Sequence, residues 1–364
     1  MFGGPRHLDL VAVGARGRAW PVPFDPAPVL ALRGRAVAVL ASGDPFWHGA
    51  GGSLAAHLAP GEWRAFPVPG SFALLAARLG WRLEDTLCLG LHAAPLARLR
   101  PLMGRGARAI CLLRDGAAPA ELAGWLVAQG WGATRMVVAE ALGGPRERLR
   151  RATADGFGLT GIAAPVAVAL DGADLPRGSG LPRAPGLPEA LFAHDGQITK
   201  APIRALALAA LAPRAGEMLW DIGGGSGSVS VEWCLAGGRA VTIEPRPDRC
   251  AKIAANAERF GLTHRLRLIE GRAPEALTAL PEPDAVFVGG GFTAAVHAAL
   301  WPLLPPGARL VAHAVTLETE ALLSALHARH GGRLLRIETA EAAPLGRLRG
   351  WQAARPVVQW AVVA

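Results

Sequence analysis

Three glycines at alternate positions mark the stretch Trp220–Trp233, which reads WDIGGGSGSVSVEW. Gly223, Gly225 and Gly227 follow an apolar, strand-like run, Glu217–Ile222, and open a predicted helix. Glycine permits a positive φ and lets a ligand approach the backbone closely. The N-terminus of a helix also attracts anionic groups. The stretch therefore predicts a site for a nucleotide, a phosphate or an S-adenosyl group.

The spacing of these glycines narrows the choice of ligand. A dinucleotide fingerprint needs GxGxxG, and the third position here is Ser228. The loop instead resembles the GxGxG of class I S-adenosyl-L-methionine methyltransferases, with NAD binding as the alternative. Glu244 ends the second strand, where a carboxylate can accept both ribose hydroxyls. The resemblance assigns the following residues to the cofactor: Gly223, Gly224, Gly225, Ser226, Gly227, Glu244, Arg272, Ala273, Gly289 and Gly290.

Strands alternate with helices throughout the second half of the chain, which predicts a parallel, doubly wound α/β sheet. The tail segments Arg333–Glu338 and Val357–Val363 are predicted to pair antiparallel at its edge. The other predicted strands are 217–222, 240–244, 267–269, 284–288 and 309–315, and the helices are 226–235, 247–260, 292–304 and 317–330.

The first half alternates in the same way. Its predicted strands are 36–41, 109–113 and 136–140, and its predicted helices are 49–58 and 119–129. Between the halves, residues 171–188 carry proline or glycine at nearly every second place, which is typical of a linker. We therefore predict two α/β domains, residues 1–171 and 189–364, joined by a linker at 172–188.

The composition and the net charge limit the classes of protein to which the chain can belong. The net charge is +9, but all but two of the 38 basic residues are arginines, and they are scattered, with no run longer than RERLRR at 146–151. This distribution favours an acidic small-molecule substrate over nucleic acid, because guanidinium groups pair bidentately with carboxylates. No apolar run is long enough for a membrane span, no secretory signal is recognisable, and the four cysteines lack CxxC spacing. We expect a cytoplasmic protein without a metal site.

Three further strings carry a more specific resemblance. GQITKxxxR at 196–204, LWDIGGGSGSVSVEW at 219–233 and PDAVFVGGG at 283–291 together resemble the C-terminal domain of the precorrin-6B C5,15-methyltransferases (decarboxylating). That family acts in cobalamin biosynthesis. The resemblance implies two methyl transfers from S-adenosyl-L-methionine, to C5 and C15 of a precorrin, with loss of CO2 from the C12 acetate, giving precorrin-8.

The first half resembles the class III, tetrapyrrole-type methyltransferases through ASGDPFWHG at 41–49, PVPGSF at 67–72 and EALGGPRER at 140–148. That class usually begins with a strand carrying a GxGPG-like loop, and here the chain opens with MFGGPRHLDL, so we expect the first strand to be missing. The resemblance places these residues at a second cofactor site: Gly43, Asp44, Pro45, Pro69, Gly70, Ser71 and Glu140.

Roles in the reaction follow from the same resemblance. Thr199 is expected at the cofactor, and Arg204 and His92 at the substrate. The side chains next to the cofactor motif that could supply a proton for decarboxylation are His194, Asp195 and Lys200. No Ser/His/Asp triad is predicted, and methyl transfer to an electron-rich carbon needs none.

Two alternatives stay open. The chain could be a class I methyltransferase acting on RNA or protein, although VGGG replaces the DPPY-like motif of adenine methylation. Its first half could also be a module without catalysis, for substrate delivery or oligomerisation. The resemblance favours a homo-oligomer, such as a tetramer, and the metal-free route to cobalamin.

Overall fold

A computed structural model describes residues 1–364, which form two compact units. One unit comprises Met1–Ala94 and Met103–Ser179, and the other Pro95–Leu102 and Gly180–Ala364. The break at 179/180 falls inside the Pro/Gly-rich segment 172–188. The longest helix has 14 residues, and no helix combines the length and the apolar character needed to cross a membrane.

The first unit is built on one five-stranded sheet with helices packed against it. Its strands are β1 Phe2–Gly3, β2 Arg18–Ala19, β3 Leu87–Gly90, β4 Arg108–Leu113, β5 Arg135–Glu140, β6 Arg148–Thr153 and β7 Val166–Asp171. Its helices are α1 Pro5–Val11, α2 Ala27–Leu30, α3 Ala50–Ala55, α4 Ser71–Leu79 and α5 Ala118–Ala128. The sheet has the order β3-β4-β7-β5-β6, and β3 and β4 are its one pair of parallel neighbours. Helix α4 packs Phe72 and Leu75 onto Ile110 and Ala169 of this sheet.

The predicted strand at 36–41 does not form. Only Val39 makes an isolated bridge, to Phe2, because the two-residue strand β1 offers nothing further to pair with. The apolar side chains there join a small cluster around Phe2, Val29 and Leu54 instead of a sheet. The predicted helix at 49–58 shortens to Ala50–Ala55, because residues 56–58 form a turn instead of a further helical turn.

The second unit contains one seven-stranded sheet and a separate two-stranded ribbon. Its strands are β8 Met218–Ile222, β9 Arg239–Glu244, β10 Leu266–Glu270, β11 Ala285–Val288, β12 Arg309–Ala314, β13 Arg333–Ile337, β14 Ala340–Leu345, β15 Leu348–Ala353 and β16 Val357–Val363. Its helices are α6 Ala201–Leu211, α7 Ser228–Leu235, α8 Pro247–Arg259, α9 Ala294–Leu300 and α10 Leu317–His330. The large sheet has the order β10-β9-β8-β11-β12-β16-β13. The first five strands of this order are parallel, and β16 runs antiparallel to both β12 and β13.

Helices cover both faces of this sheet, so its central strands are buried on both sides and read as continuous apolar runs. The prediction of a parallel sheet with an antiparallel edge pair is confirmed. The helix predicted at 292–304 is shorter: it begins after Thr293, whose side chain accepts the Val296 N–H, and tightens into a 3₁₀ turn at Trp301–Leu303. The hairpin of β14 and β15 was not predicted, because its sequence lacks a regular apolar alternation.

Candidate cofactor and active sites

The glycine loop after β8 is shaped by close backbone contacts. Gly223, Gly225 and Gly227 have φ angles of 72°, 60° and 70°. A Cβ on Gly223 would lie 2.9 Å from the carbonyl oxygen of Gly290, and one on Gly224 would lie 2.2 Å from a methyl of Thr242. The loop therefore requires glycine, and it rests directly against the loop that follows β11.

Glu244, at the end of β9, faces the same loop. One carboxylate oxygen accepts the Gly225 N–H at 2.8 Å, and the other accepts the Arg246 N–H at 3.1 Å. A carboxylate has about four acceptor positions, so two remain for a ligand such as a ribose diol. Glu244 is 3% exposed, so a ligand would contact it only at the bottom of the pocket that the glycine loop lines.

The remaining cofactor candidates lie at the same edge of the sheet, where the parallel strands end. Gly271 donates its N–H to the Glu244 carbonyl at 3.1 Å, which places the segment containing Arg272 and Ala273 beside β9. Gly289 donates to the Ile222 carbonyl at 3.3 Å. Ligands of open α/β sheets bind at this carboxyl edge. The structure thus brings the predicted residues of the second unit together, while their contacts with a cofactor stay a prediction.

Two observations fit an S-adenosyl group at this edge. The Ser226 hydroxyl oxygen is buried without a hydrogen-bond partner, and buried hydroxyls are ordinarily satisfied. Open space also lies beside the loop after β11, where a Cβ on Gly290 would meet nothing within 4 Å. Ser226, Glu244 and the glycines can therefore hold such a group.

The segment before α6 lies against the glycine loop. The carbonyl oxygen of Gln197 is 3.6 Å from the position of a Cβ on Gly225. Asn256 of α8, which is fully buried, hydrogen-bonds to the Ala193 backbone and donates to the Ser226 carbonyl at 2.9 Å. This amide fixes the segment 193–199 to the loop that it covers.

The three proton-donor candidates differ in their surroundings. Asp195 accepts the Gln197 N–H and pairs with Arg249 at 3.0 Å, and these contacts lower its pKa to about 2. Asp195 is thus ionised at neutral pH, which favours His194 or Lys200 over it as the proton donor. His194 accepts the Gly196 N–H at Nδ1, and Lys200 is exposed at the start of α6.

Arg204 does not face a substrate. Its side chain is fully buried, pairs with Glu232 at 2.5 Å and donates to the carbonyl oxygens of Thr199 and Leu187. The guanidinium also lies over the Phe192 ring, 4.9 Å from its centroid. The prediction that Arg204 holds substrate carboxylates is therefore wrong, because its burial leaves no route to a ligand. Its position in the motif reflects packing of the segment before α6.

Asp221 was missed by the sequence analysis. It is fully buried at the end of β8 and accepts hydrogen bonds from the N–H and the hydroxyl of Ser230 at 3.2 and 2.7 Å. Burial raises its pKa to about 6 despite these bonds. The available signal is an acid two residues before a glycine cluster. Asp221 ties β8 to the start of α7 beneath the loop.

In the first unit, two predicted cofactor segments meet. Gly43 has a φ of 63°, and a Cβ on it would lie 2.5 Å from the Cα of Gly70. This contact places the turn containing Asp44 and Pro45 against Pro69, Gly70 and Ser71, the last of which begins α4. His92 is exposed, and its ring centroid is 6.5 Å from that of His48, which follows the turn. Their roles stay predictions.

Glu140 belongs to a structural ion cluster. Each of its carboxylate oxygens accepts two hydrogen bonds, from Arg148, Arg150 and the Ala163 N–H. Burial raises its pKa, but these donors outweigh that effect and hold the pKa below its ordinary value. Since all four acceptor positions are used, the structure contradicts a cofactor contact by Glu140.

The strand order of the second unit, with a glycine loop after the central strand and an acid ending the next, defines the class I S-adenosylmethionine-dependent methyltransferases. Comparisons with known proteins agree. Residues 190–364 match a family model described as a precorrin methyltransferase domain, and residues 28–157 match one described as tetrapyrrole (corrin/porphyrin) methylases. The chain thus joins two methyltransferase domains of different types.

Full-length relatives identify the family. A protein of Sinorhizobium sp. named precorrin-6Y C(5,15)-methyltransferase (decarboxylating) is 48% identical over 99% of this chain and 89% of its own. One of the same name from Mycobacterium tuberculosis (strain CDC 1551 / Oshkosh) is 39% identical over 100% and 92%. A solved C-terminal domain of the Rhodobacter capsulatus enzyme is 64% identical, with a TM-score of 0.50, over 50% of this chain and 100% of that domain. The chain belongs to the precorrin-6Y C5,15-methyltransferase (decarboxylating) family.

Proposed function

We propose that the chain methylates precorrin-6B at C5 and C15 and removes the C12 acetate carboxyl as CO2, giving precorrin-8. The observation that carries this proposal is the cradle of Gly223–Gly227 and Glu244 at the carboxyl edge, within residues that match the precorrin methyltransferase model. It combines a place for the cofactor with a family that acts on this substrate class.

In this proposal, each domain catalyses one of the two methyl transfers. Residues 189–364 transfer a methyl group to C15 and decarboxylate the C12 acetate. Residues 1–171 transfer a methyl group to C5. Residues 172–188 link the two domains. The match of residues 28–157 to tetrapyrrole methylases supports a second methylating domain. In that domain the Gly43 and Gly70 turns would line the cofactor cleft, with His92 near the substrate.

The contribution of the protein to methyl transfer is placement. S-adenosyl-L-methionine supplies a methyl group on a sulfonium, and the meso carbons of the substrate are enamine-like nucleophiles that need no strong base. Orientation can contribute ~7–11 kcal/mol in the best cases. Glu244 would hold the ribose, and Gly289 and Gly290 would leave room for the transferred methyl.

Decarboxylation requires a proton donor. The macrocycle can accept the electron pair once a ring carbon or nitrogen is protonated, and the protein excludes water and aims the donor. With Asp195 ionised, His194 and Lys200 remain the proposed donors, and Thr199 the proposed cofactor contact.

The mass of the product tests the proposal. Purified protein is incubated with precorrin-6B and S-adenosyl-L-methionine, and equilibrium dialysis with S-adenosylhomocysteine counts the cofactor sites. Two added methyls, loss of CO2 and two sites per chain are expected. One methyl with one site would refute catalysis by residues 1–171, and an unchanged mass with intact cofactor binding would favour a methyltransferase of RNA or protein.

The proposal also covers the cellular compartment and the oligomeric state of the protein. The four cysteines are all free, which favours a reducing compartment, and we place the protein in the cytoplasm without a nucleic-acid partner. A homo-oligomer, such as a tetramer, is the assembly that the family resemblance favours. Light scattering of the purified protein measures it directly.

A further inference from the structure

Three polar side chains meet in the first unit, just before the turn at Gly43. The Ser42 hydroxyl oxygen lies 2.6 Å from Nε2 of His7 and accepts a hydrogen bond from a guanidinium N–H of Arg6 at 3.0 Å. Ser42 is exposed, whereas His7 is partly buried. A hydroxyl hydrogen-bonded to an imidazole is an arrangement in which enzymes move protons. The methyl transfers described above do not use this group.

The backbone brings the two parts of this group together. The Phe2 N–H donates to the Ala38 carbonyl at 2.9 Å, and the Leu40 N–H donates to the Phe2 carbonyl at 2.8 Å. A Cβ on Gly3 would lie 3.1 Å from the Cβ of Leu40. Helix α1, which carries the imidazole and the guanidinium, therefore begins in close contact with the segment that leads to Ser42.

Ser42 directly precedes the turn that we propose for the cofactor cleft of the first unit. A Cβ on Gly43 would lie 2.5 Å from the Cα of Gly70, so the two proposed cofactor segments meet beside Ser42. Asp44, in the same turn, accepts the Phe46 N–H at 2.8 Å and so stabilises the turn. A substrate carbon placed for methyl transfer in this cleft would therefore come close to the Ser42 hydroxyl.

Methylation of a meso carbon creates a need for a proton acceptor. The carbon attacks the sulfonium methyl, so a C–CH3 bond forms, and the S–CH3 bond breaks with its electron pair left on sulfur. The methylated carbon still carries its hydrogen, and a positive charge is spread over the conjugated ring. Loss of that hydrogen as a proton returns the C–H electron pair to the ring and restores the conjugation. The transfer itself needs no base, but the step that follows it does.

His7 is suited to take up this proton through Ser42. Burial and, to a smaller extent, the Arg6 guanidinium lower the pKa of His7 below its ordinary value, so the imidazole is neutral at pH 7. Its Nδ1 is buried without a hydrogen-bond partner, so Nε2 is the nitrogen that can exchange protons. The Ser42 oxygen has two acceptor positions, and Arg6 occupies one. The other can accept a substrate proton while the hydroxyl gives its own to Nε2.

We propose that Ser42 and His7 remove the proton from C5 after methyl transfer in the first domain. The C5 proton passes to the Ser42 oxygen, and the hydroxyl proton of Ser42 passes in the same step to Nε2 of His7. Arg6 holds the Ser42 oxygen in place. This inference rests on the proposed function, because it assumes that residues 1–171 methylate C5.

His7→Ala and Ser42→Ala test this relay in the full chain. Ser42→Thr keeps a hydroxyl, and His57→Ala and Ser53→Ala are the matched controls, because they alter exposed residues of the same unit. Each protein is given S-adenosyl-L-methionine and precorrin-6B that carries either hydrogen or deuterium at C5. Product mass follows both methylations, since loss of the deuterium marks methylation at C5. Equilibrium dialysis with S-adenosylhomocysteine counts the cofactor sites.

The rate of C5 methylation should fall about a hundredfold in His7→Ala and Ser42→Ala. In these variants the deuterated substrate should react more slowly than the ordinary one, because proton removal has become the slow step. Free imidazole should restore part of the rate of His7→Ala, and Ser42→Thr should keep most of the wild-type rate. A merely structural role would produce neither the isotope effect nor the rescue. C15 methylation, the two cofactor sites and both controls should stay as in the wild type.

The wild-type product separates failure of this inference from failure of the proposed function. If the wild type methylates C5 and the alanine variants do so at the same rate, the relay is overturned. The same holds if their rates fall without an isotope effect and without rescue by imidazole. If the wild type adds no methyl at C5, the proposed function of residues 1–171 fails, and the relay fails with it.

Discussion

Asn256 holds Ala193 by both of its backbone groups: the amide oxygen accepts the Ala193 N–H at 2.7 Å, and the amide nitrogen donates to the Ala193 carbonyl at 3.0 Å. The same nitrogen donates to the Ser226 carbonyl in the glycine loop. This buried side chain therefore links the covering segment 193–199 directly to the proposed cofactor cradle.

Asn256→Leu should weaken S-adenosylhomocysteine binding about tenfold and destabilise the fold by about 1–3 kcal/mol. The leucine would leave the backbone groups of Ala193 and the Ser226 carbonyl buried without partners. Titration calorimetry and urea unfolding measure the two effects. Glu258→Gln, on the exposed side of the same helix, should change neither. Unchanged cofactor affinity in Asn256→Leu would show that the link does not shape the cradle.

Glu244→Gln should weaken S-adenosylhomocysteine binding by about tenfold to a hundredfold, because hydrogen bonds to a charged acceptor are the stronger ones. Calorimetry measures the loss. The matched control is Glu270→Gln, since Glu270 is exposed and pairs with Glu244 in register at the end of the neighbouring strand. Equal losses in both variants would point to a general effect of charge at this edge.

Asp221→Asn should remove one component of the pH dependence of stability. The folded protein holds the Asp221 proton up to about pH 6, against 3.8 ordinarily, so folding takes up a proton between these values. The contribution of Asp221 to the free energy of unfolding therefore falls by about 2–3 kcal/mol as the pH rises through this window, and it stays constant at higher pH. Urea unfolding from pH 4 to 7, compared with the wild type, measures the difference. Parallel curves would disprove the raised pKa.

Arg204→Met should destabilise the protein by about 3–5 kcal/mol, because it leaves Glu232 buried without its partner. The double variant Arg204→Met, Glu232→Gln should recover part of this loss. Arg82→Met breaks the exposed pair with Glu84 and should cost less than about 1 kcal/mol. Urea unfolding compares the three. A small effect of Arg204→Met would mean that the segment before α6 is held mainly by other contacts.

Gly43→Ala should separate the two methyl transfers. The added Cβ would meet the backbone of Gly70 at 2.5 Å, at a φ that disfavours side chains, and so distort the cleft of the first unit. We expect a product with one added methyl and loss of CO2, detected by mass. Gly52→Ala, which meets nothing within 4 Å, is the control. A doubly methylated product from Gly43→Ala would remove this turn from the C5 site.

Much of the second unit could be predicted because its signals are local. Apolar runs such as 284–288 and the glycine cluster at 223–227 determine strand and loop directly, and chain order then fixes where the loops meet. The failures have a different cause. The string at 36–41 alternates like a strand, but strand formation depends on a partner far away in sequence, and the chain supplies only two residues there.

The errors at the site concern burial. Arg204 and Glu140 have side chains of types that often bind ligands. Only the three-dimensional packing shows that each is already paired inside the protein. Arg204 pairs with Glu232, and Glu140 pairs with Arg148 and Arg150. Asp221 shows the opposite case, since an ordinary-looking acid acquires an unusual proton affinity by being enclosed.

The close approach of Gly223 to Gly290 joins the loop that we propose for the methyl donor to the loop that we propose beside the methyl acceptor. Neither loop can move away from the other without opening a gap in the backbone packing. In this proposal, the separation between donor and acceptor is fixed when the chain folds, before either ligand arrives. Part of the entropy that two free reactants would lose on meeting is then already lost during folding.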